Sequence, residues 1–170
     1  ADTILNNLNG ATYIVESIEK KETIRNPQPP FTTSTLQQAS VNKLGFSAKR
    51  TMMIAQKLYE KGHITYHRTD SLNLSEQSQG AAKQFIIDSF GVNYWPGFAR
   101  KFKTKSKSAQ EAHEAIRPTQ AENTPDSFKK GAKLTPDELK LYTLIWQRFI
   151  ASQMNQAIFD SCTIDIGANA

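Results

Sequence analysis

Apolar and polar residues alternate in two segments that bracket the chain, and between them the pattern turns helical. After a start that reads as the end of a helix, "ATYIVESIEKKETI" places Tyr13, Val15 and Ser17 on one face and Ile14, Glu16 and Ile18 on the other, the period of a half-exposed strand. Near the other end "AIFDSCTIDIG" sets Ile158, Cys162, Ile164 and Ile166 against Phe159, Ser161, Thr163 and Asp165. Between them lies "RNPQPP", whose Pro27, Pro29 and Pro30 can continue neither helix nor sheet, so it reads as a stiff connector and a domain boundary.

The middle repeats one helical grammar. "TSTLQQASVNKLG" predicts a short helix with Ser34 or Thr35 as N-cap and Gly45 at its end. "FSAKRTMMIAQKLYEKG" offers Ser47 as cap, an apolar face of Ala48, Met52, Ala55, Leu58 and Tyr59, and Gly62 as stop, so the two form a helix-turn-helix-like pair. A third helix runs between Ser75 and Gly91. In "LTPDELKLYTLIWQRFIASQM", Thr135 and Glu138 make a capping box with Pro136 at the first helical position. Leu139, Tyr142, Ile145, Trp146, Phe149 and Ile150 form the stripe of a core helix. The expected class is mainly α with a small β part (α+β), the helical portion inserted between strands of one small sheet.

Composition fills in this picture. With 170 residues, 38% of them apolar, the chain can bury a core of its own. Its single cysteine, Cys162, excludes an internal disulfide, suits a reducing compartment and reads as a small apolar strand residue. No apolar run approaches the ~20 residues that span a bilayer, and "ADTILNN" is not a signal peptide. A cytoplasmic protein without membrane partners is therefore expected. The absence of an initiator Met and a last residue inside a strand pattern suggest part of a longer polypeptide.

Charge narrows the partner. The chain carries 21 basic and 16 acidic residues, a net +5, and leans toward a polyanion. The turn-rich stretch "FARKFKTKSKSAQ" holds Arg100, Lys101, Lys103, Lys105 and Lys107 with no acid, and reads as a loop. Residues 41 to 71 carry Lys43, Lys49, Arg50, Lys57, Lys61 and Arg68 against Glu60 and Asp70.

The densest chemistry is in "GHITYHRTDS", residues 62 to 71. A phenol with a pKa near ~10 attacks a phosphodiester only with positive charge close by. In an extended segment, residues two apart point the same way, so Arg68 can reach the phosphate that Tyr66 attacks. The same residues also suit a packed tyrosine and a solvated arginine. A second cluster, "QEAHEAIRP", brings His113 and Arg117 to one face if it is helical. They would form either a second phosphate clamp or an ordinary charged surface. His63, His67 and His113 lack the cysteine pair or His-x-x-x-His spacing of a zinc site. Three other readings stay open on these residues: a non-catalytic helix-turn-helix nucleic-acid-binding module, a module docking an acidic partner, and a tyrosine phosphotransferase of another class.

Taken in order, "NPQPPFTTSTLQQAS", "KLGFSAKRTMMIAQKLYEKGHITYHRTDS", "SAQEAHEAIRPT" and "LYTLIWQRFIASQM" resemble consecutive blocks of bacterial DNA topoisomerase I, the type IA topoisomerase family. The resemblance covers almost the whole chain. It implies that Tyr66 attacks a single DNA strand and becomes joined to the 5′ phosphate, that Arg68 contacts the scissile phosphate, and that His113 serves a phosphate or proton network. Arg117 belongs to the same block, and Lys43, Lys49, Arg50, Lys101 and Lys103 would line a basic DNA channel. His67 stands where the family varies. The implied organisation is a gate-domain segment over residues 1–28, a helical active-site tyrosine domain with a helix-turn-helix-like (CAP-like) element over 29–154, and a returning gate-domain strand over 155–170. The family's Mg²⁺ is held by an Asp-x-Asp-x-Glu cluster, and this sequence has no Asp-x-Asp, so no metal is expected here. The implied partners are single-stranded segments of negatively supercoiled DNA, in the bacterial nucleoid, and the remaining domains of one polypeptide. Alone, the chain is expected to fold but to relax DNA little or not at all.

Overall fold

The computed structural model describes residues 2–103, 113–129 and 134–169. Its architecture is α+β: six helices and a two-stranded antiparallel sheet among the described residues. The chain divides into two compact units, one of Pro27–Asn155 and one of Ala1–Asn26 with Gln156–Ala170. No helix among the described residues is long and apolar enough to cross a membrane.

The smaller unit holds α1 (Asp2–Leu8), β1 (Thr12–Arg25) and β2 (Ala157–Asn169). The strands pair from Thr12 opposite Asn169 to Arg25 opposite Ala157, with an irregularity between Val15 and Ser17. The Ser17 hydroxyl donates to the Asp165 carboxylate at 2.7 Å across the ribbon. Tyr13, Val15 and Ile18 lie exposed, and so do Ile14, Ile164 and Ile166, because a two-stranded ribbon covers neither of its faces. Cys162 is a strand residue of β2, as expected, and for the same reason its thiol is exposed.

The larger unit is built from α2 (Thr33–Leu44), α3 (Ala48–Glu60), α4 (Glu76–Phe90), α5 (Pro125–Lys129) and α6 (Pro136–Gln153). The N-cap of α2 is Thr32, not Ser34 or Thr35. The Thr32 hydroxyl accepts from the Thr35 N–H at 3.4 Å, and the Thr32 N–H donates back to the Thr35 hydroxyl at 2.9 Å, so Thr35 completes a capping box rather than starting the helix. Gly45 closes α2 with φ 67°, a left-handed geometry glycine adopts without a Cβ penalty.

Ser47 caps α3 as expected, but the buried stripe is Thr51, Ile54, Ala55 and Leu58, whereas Ala48 and Tyr59 are exposed. Thr51 can join an apolar stripe because its hydroxyl donates to the Ser47 carbonyl at 3.0 Å. At α6 the capping box of Thr135 and Glu138 forms. Glu138 is buried, which raises its pKa, but bonds from Lys61 Nζ at 2.8 Å and the Thr135 N–H hold it below the ordinary carboxylate value. One carboxylate thus caps α6 and ties it to the end of α3.

Two apolar clusters fill this unit. The first joins Leu36 of α2, Ile54 and Leu58 of α3, and Leu141, Tyr142 and Ile145 of α6 to Phe31, Ile64 and Ile116 from the connecting segments. The second packs Ala82 and Ile86 of α4 against Phe149 and Ile150 of α6 and Ala121. Phe31, Ile64 and Ile116 link this core to the surface. Each buries a side chain worth about 1.5–3 kcal/mol, and each is the anchor of a segment that emerges beside Tyr66.

Candidate active site

Residues 64–71 follow α3 as an irregular segment whose exposure alternates from Tyr66 to Ser71. Ile64, His67, Thr69 and Ser71 are buried, whereas Tyr66, Arg68 and Asp70 face outward. Both side chains of the Tyr-x-Arg spacing are thus exposed with His67 buried between them, although the backbone bends at Thr65, His67 and Arg68 instead of running as a strand. The segment is held without a regular sheet. Ile64 bridges Pro118, and Thr65 N–H donates to the Arg117 carbonyl at 2.9 Å. The Thr65 hydroxyl donates to the Ala115 carbonyl at 2.8 Å and accepts from the Arg117 N–H at 3.0 Å.

The condition on which His113 and Arg117 would share a helical face, a helix over 110–118, is not met in the residues described there. From His113 to Pro118 the chain is extended: Ala115 N–H donates to Asn73 O, Ile116 N–H to Phe31 O, and Phe31 bridges Ile116. The backbone donors that a helix would use internally are thus spent on three other segments. Glu111 and the start of this cluster lie outside the described residues.

This pairing brings His113 to the surface that Tyr66 and Arg68 line, as the family resemblance implies. One depression of about 320 Å³ is lined by Tyr59, Thr65, Tyr66, Thr69, His113 and Glu114. Its neighbour, of about 450 Å³, is lined by Thr33, Ser34, Gln37, Arg68, Thr69, Asp70 and His113. His113 and Thr69 belong to both, so the three expected residues surround one continuous surface.

Tyr66 is 42% exposed, and its ring meets Tyr59 edge-on at 5.3 Å and His67 at 5.4 Å between centroids. Its hydroxyl and the Arg68 guanidinium make no hydrogen bond or ion pair among the described residues. A phenol and a guanidinium left open to an incoming group are chemically able to act as nucleophile and anion holder.

Arg117 stands differently. Its guanidinium donates to the Glu114 carboxylate at 2.6 Å and to the carbonyls of Pro118 and Thr119. Burial raises the Glu114 pKa, but the Arg117 and Ser75 hydrogen bonds outweigh it and hold the group below its ordinary value. Lys43 and Lys49 are exposed, at the last turn of α2 and the first turn of α3. Arg50 pairs with Asp137 and lies 4.6 Å over the Phe46 ring. Thr33 at the start of α2 and Thr65 beyond the end of α3 border the Tyr66 surface, so these three bases lie toward the far ends of helices some 15–20 Å long. Lys101 and Lys103 are exposed outside any regular element, and Lys105 and Lys107 lie outside the described residues.

His67 carries an additional signal. Its side chain has no exposure, and neither ring nitrogen has a hydrogen-bond partner among the described residues. Burial, and after it the Arg68 charge, lower its pKa from 6.5, with Glu60 opposing them. The imidazole is therefore neutral in the fold at pH 7. Since the unfolded chain gains a proton at higher pH than the native one does, stability should fall as pH drops below about 6.5. Thermal unfolding followed from pH 7.5 to 5.5 should show this slope, and His67→Leu should flatten it.

Tyr59, Thr33 and Thr69 also border the site, and nothing in the sequence pattern selects them for it. Tyr59 reads from its spacing as part of the apolar face of α3; its position one turn before the Tyr66 segment is the available signal. Among the described residues, no group of three or more His, Cys, Asp or Glu side chains could hold a metal ion.

Comparison with known proteins finds relatives over nearly the whole chain. A family model described as DNA topoisomerase matches residues 1–170. The chain is 52% identical over 166 residues to DNA topoisomerase 1 of Campylobacter jejuni, covering 93% of this chain and 23% of that protein. It is 49% identical to DNA topoisomerase 1 of Rickettsia felis, with 94% and 21% covered. The solved structure of full-length topoisomerase I from Thermotoga maritima matches with a TM-score of 0.76 at 35% identity, over 99% of this chain and 30% of that one. The chain spans less than a quarter of the length of these curated relatives.

Proposed function

The chain belongs to the bacterial DNA topoisomerase I family, type IA, and on that premise we propose that it supplies the strand-cleaving tyrosine of a longer enzyme. The observation that carries this reading is the pair of exposed groups, uncommitted among the described residues, that line adjoining depressions sharing Thr69 and His113: the Tyr66 hydroxyl and the Arg68 guanidinium.

The Tyr66 oxygen attacks a phosphorus of one DNA strand, forming a phosphotyrosyl ester with the 5′ side while the bond to the 3′ oxygen breaks. The phenolic proton leaves and the departing 3′ oxygen takes one up, with His113 placed for that exchange. Arg68 holds the non-bridging oxygens and stabilises the charge that accumulates on them. After another strand has passed through the gap, the 3′ hydroxyl attacks the ester and restores the original bond. Because the ester conserves the energy of the broken bond, relaxation of negative supercoils needs no ATP.

On this reading the family's divalent cation is held by an acidic cluster in another domain of the same polypeptide, since a hard cation wants several carboxylate or water oxygens. In this reading the α2–α3 pair is the helix-turn-helix-like (CAP-like) element, within a tyrosine domain spanning 29–154. The exposed apolar ribbon at 1–28 and 155–170 belongs to a gate domain completed by other parts of the polypeptide, since such a ribbon is marginal alone. Lys43, Lys49, Arg50, Lys101 and Lys103 hold phosphates farther along the strand, and Arg117 braces Glu114 at the rim of the Tyr66 depression. A weaker salt dependence of strand binding after neutralising Lys43 and Lys49 checks that assignment.

The full-length polypeptide, given negatively supercoiled plasmid without ATP and quenched with denaturant, should yield relaxed circles and protein-linked DNA with a free 3′ hydroxyl. A 3′-linked adduct, or relaxation that leaves no adduct, would contradict the reading.

A further inference from the structure

We infer that Thr33 is a positioning residue for strand cleavage: it grips the backbone on both sides of Arg68 and so sets where the guanidinium stands beside Tyr66. The inference rests on the reading of Tyr66 as nucleophile and Arg68 as phosphate holder.

Thr33 is the first residue of α2, more than thirty residues from the segment it holds. Its N–H donates to the Thr69 carbonyl at 2.8 Å, and its hydroxyl accepts from the Thr69 N–H at 2.9 Å. The hydroxyl has one proton. The His67 carbonyl at 2.8 Å is a nearer acceptor than the Thr69 carbonyl at 3.2 Å, so His67 takes that bond. Three hydrogen bonds from one residue therefore straddle Arg68. An N–H in the first turn of a helix has no partner within the helix, and here it is used on the site segment.

The grip itself has a firm base. Leu36 is fully buried, the Thr32–Thr35 capping box fixes the first turn, and Phe31 is anchored in the core just before it. Arg68, by contrast, has an exposed side chain with no hydrogen bond or ion pair among the described residues. Its direction is thus inherited from the backbone of His67 and Thr69. Losing the hydroxyl frees one carbonyl and one N–H at these partly or wholly buried neighbours, and the backbone must shift to satisfy them.

The test uses the full-length polypeptide and a single-stranded oligonucleotide that it cleaves, read as the rate of adduct formation and, separately, as strand-binding Kd. Thr33→Val, which keeps the shape and the N–H but not the hydroxyl, should slow adduct formation about 100-fold, the scale of a misplacement near 1 Å, with Kd little changed. Thr33→Ser should restore the rate. In an Arg68→Ala background Thr33→Val should add almost nothing, because the group it positions is gone.

An unchanged rate in Thr33→Val would overturn the inference, and so would a loss of equal size without Arg68 or a failure of Ser to rescue. If Thr33→Val does not fold, Thr33→Ala replaces it; unfolding of both would make the hydroxyl a structural prop and likewise overturn the inference. If the wild-type polypeptide forms no adduct at Tyr66, the reading beneath fails and takes the inference with it. An adduct that forms but ignores Thr33 leaves that reading standing.

Discussion

Tyr66→Phe in the full-length polypeptide is expected to abolish covalent capture of a cut strand, lowering it at least about 10⁴-fold, because it removes the attacking atom itself. The fold should not notice. The tyrosine hydroxyl makes no hydrogen bond to the described residues, and the edge-on packing of the ring against Tyr59 and His67 is available to phenylalanine as well. Thermal unfolding should therefore stay within about 0.5 kcal/mol of wild type. Denaturing gels of protein-linked DNA beside melting curves separate the two effects. A variant that melts normally and still captures DNA would show that another residue does the chemistry.

Arg68→Ala should come second, with a loss of about 10²–10³-fold in adduct formation, the range seen when one preorganised donor to a developing charge is removed. Because Arg68 has no partner among the described residues to leave unsatisfied, little stability should be lost with it. Arg68→Lys should recover only part of the rate. An ammonium keeps the charge but cannot present two parallel donors to a phosphate. Single-turnover cleavage by the three proteins, measured at saturating oligonucleotide, tests this ranking. Equal rates for Arg68→Ala and wild type would remove the arginine from the chemistry.

What could be read from the sequence depends on how locally each feature is decided. The caps at Ser47, Ser75 and Thr135 and the stop at Gly45 are patterns within four residues, and they form as expected. The start of α2 is not decided so locally. "TTST" offers four side chains able to cap, and the one that does follows Phe31, which is anchored in the core. That 113–118 is not helical has a non-local reason: its backbone donors go to Asn73, Phe31 and Thr65, and no periodicity inside nine residues announces that. His113 reaches the site through this pairing and not through a helical face.

The site shows the same division. That Tyr66 and Arg68 are both exposed around a buried His67 is legible, because such alternation depends on spacing. That Arg68 is open while Arg117 is fully engaged is not legible, since it turns on where Glu114 and the carbonyls of Pro118 and Thr119 lie. The burial of His67 between two outward-facing neighbours accords with the alternation, but its lack of a hydrogen-bond partner among the described residues does not come from it.

The most direct measurement is to trap the full-length polypeptide on a single-stranded oligonucleotide labelled at its 3′ end, digest it with trypsin, and locate the nucleotide by mass spectrometry. The label should travel with the peptide carrying Tyr66, joined through a 5′ phosphate to its phenolic oxygen. A nucleotide found on any other side chain, or joined through a 3′ phosphate, would contradict the account.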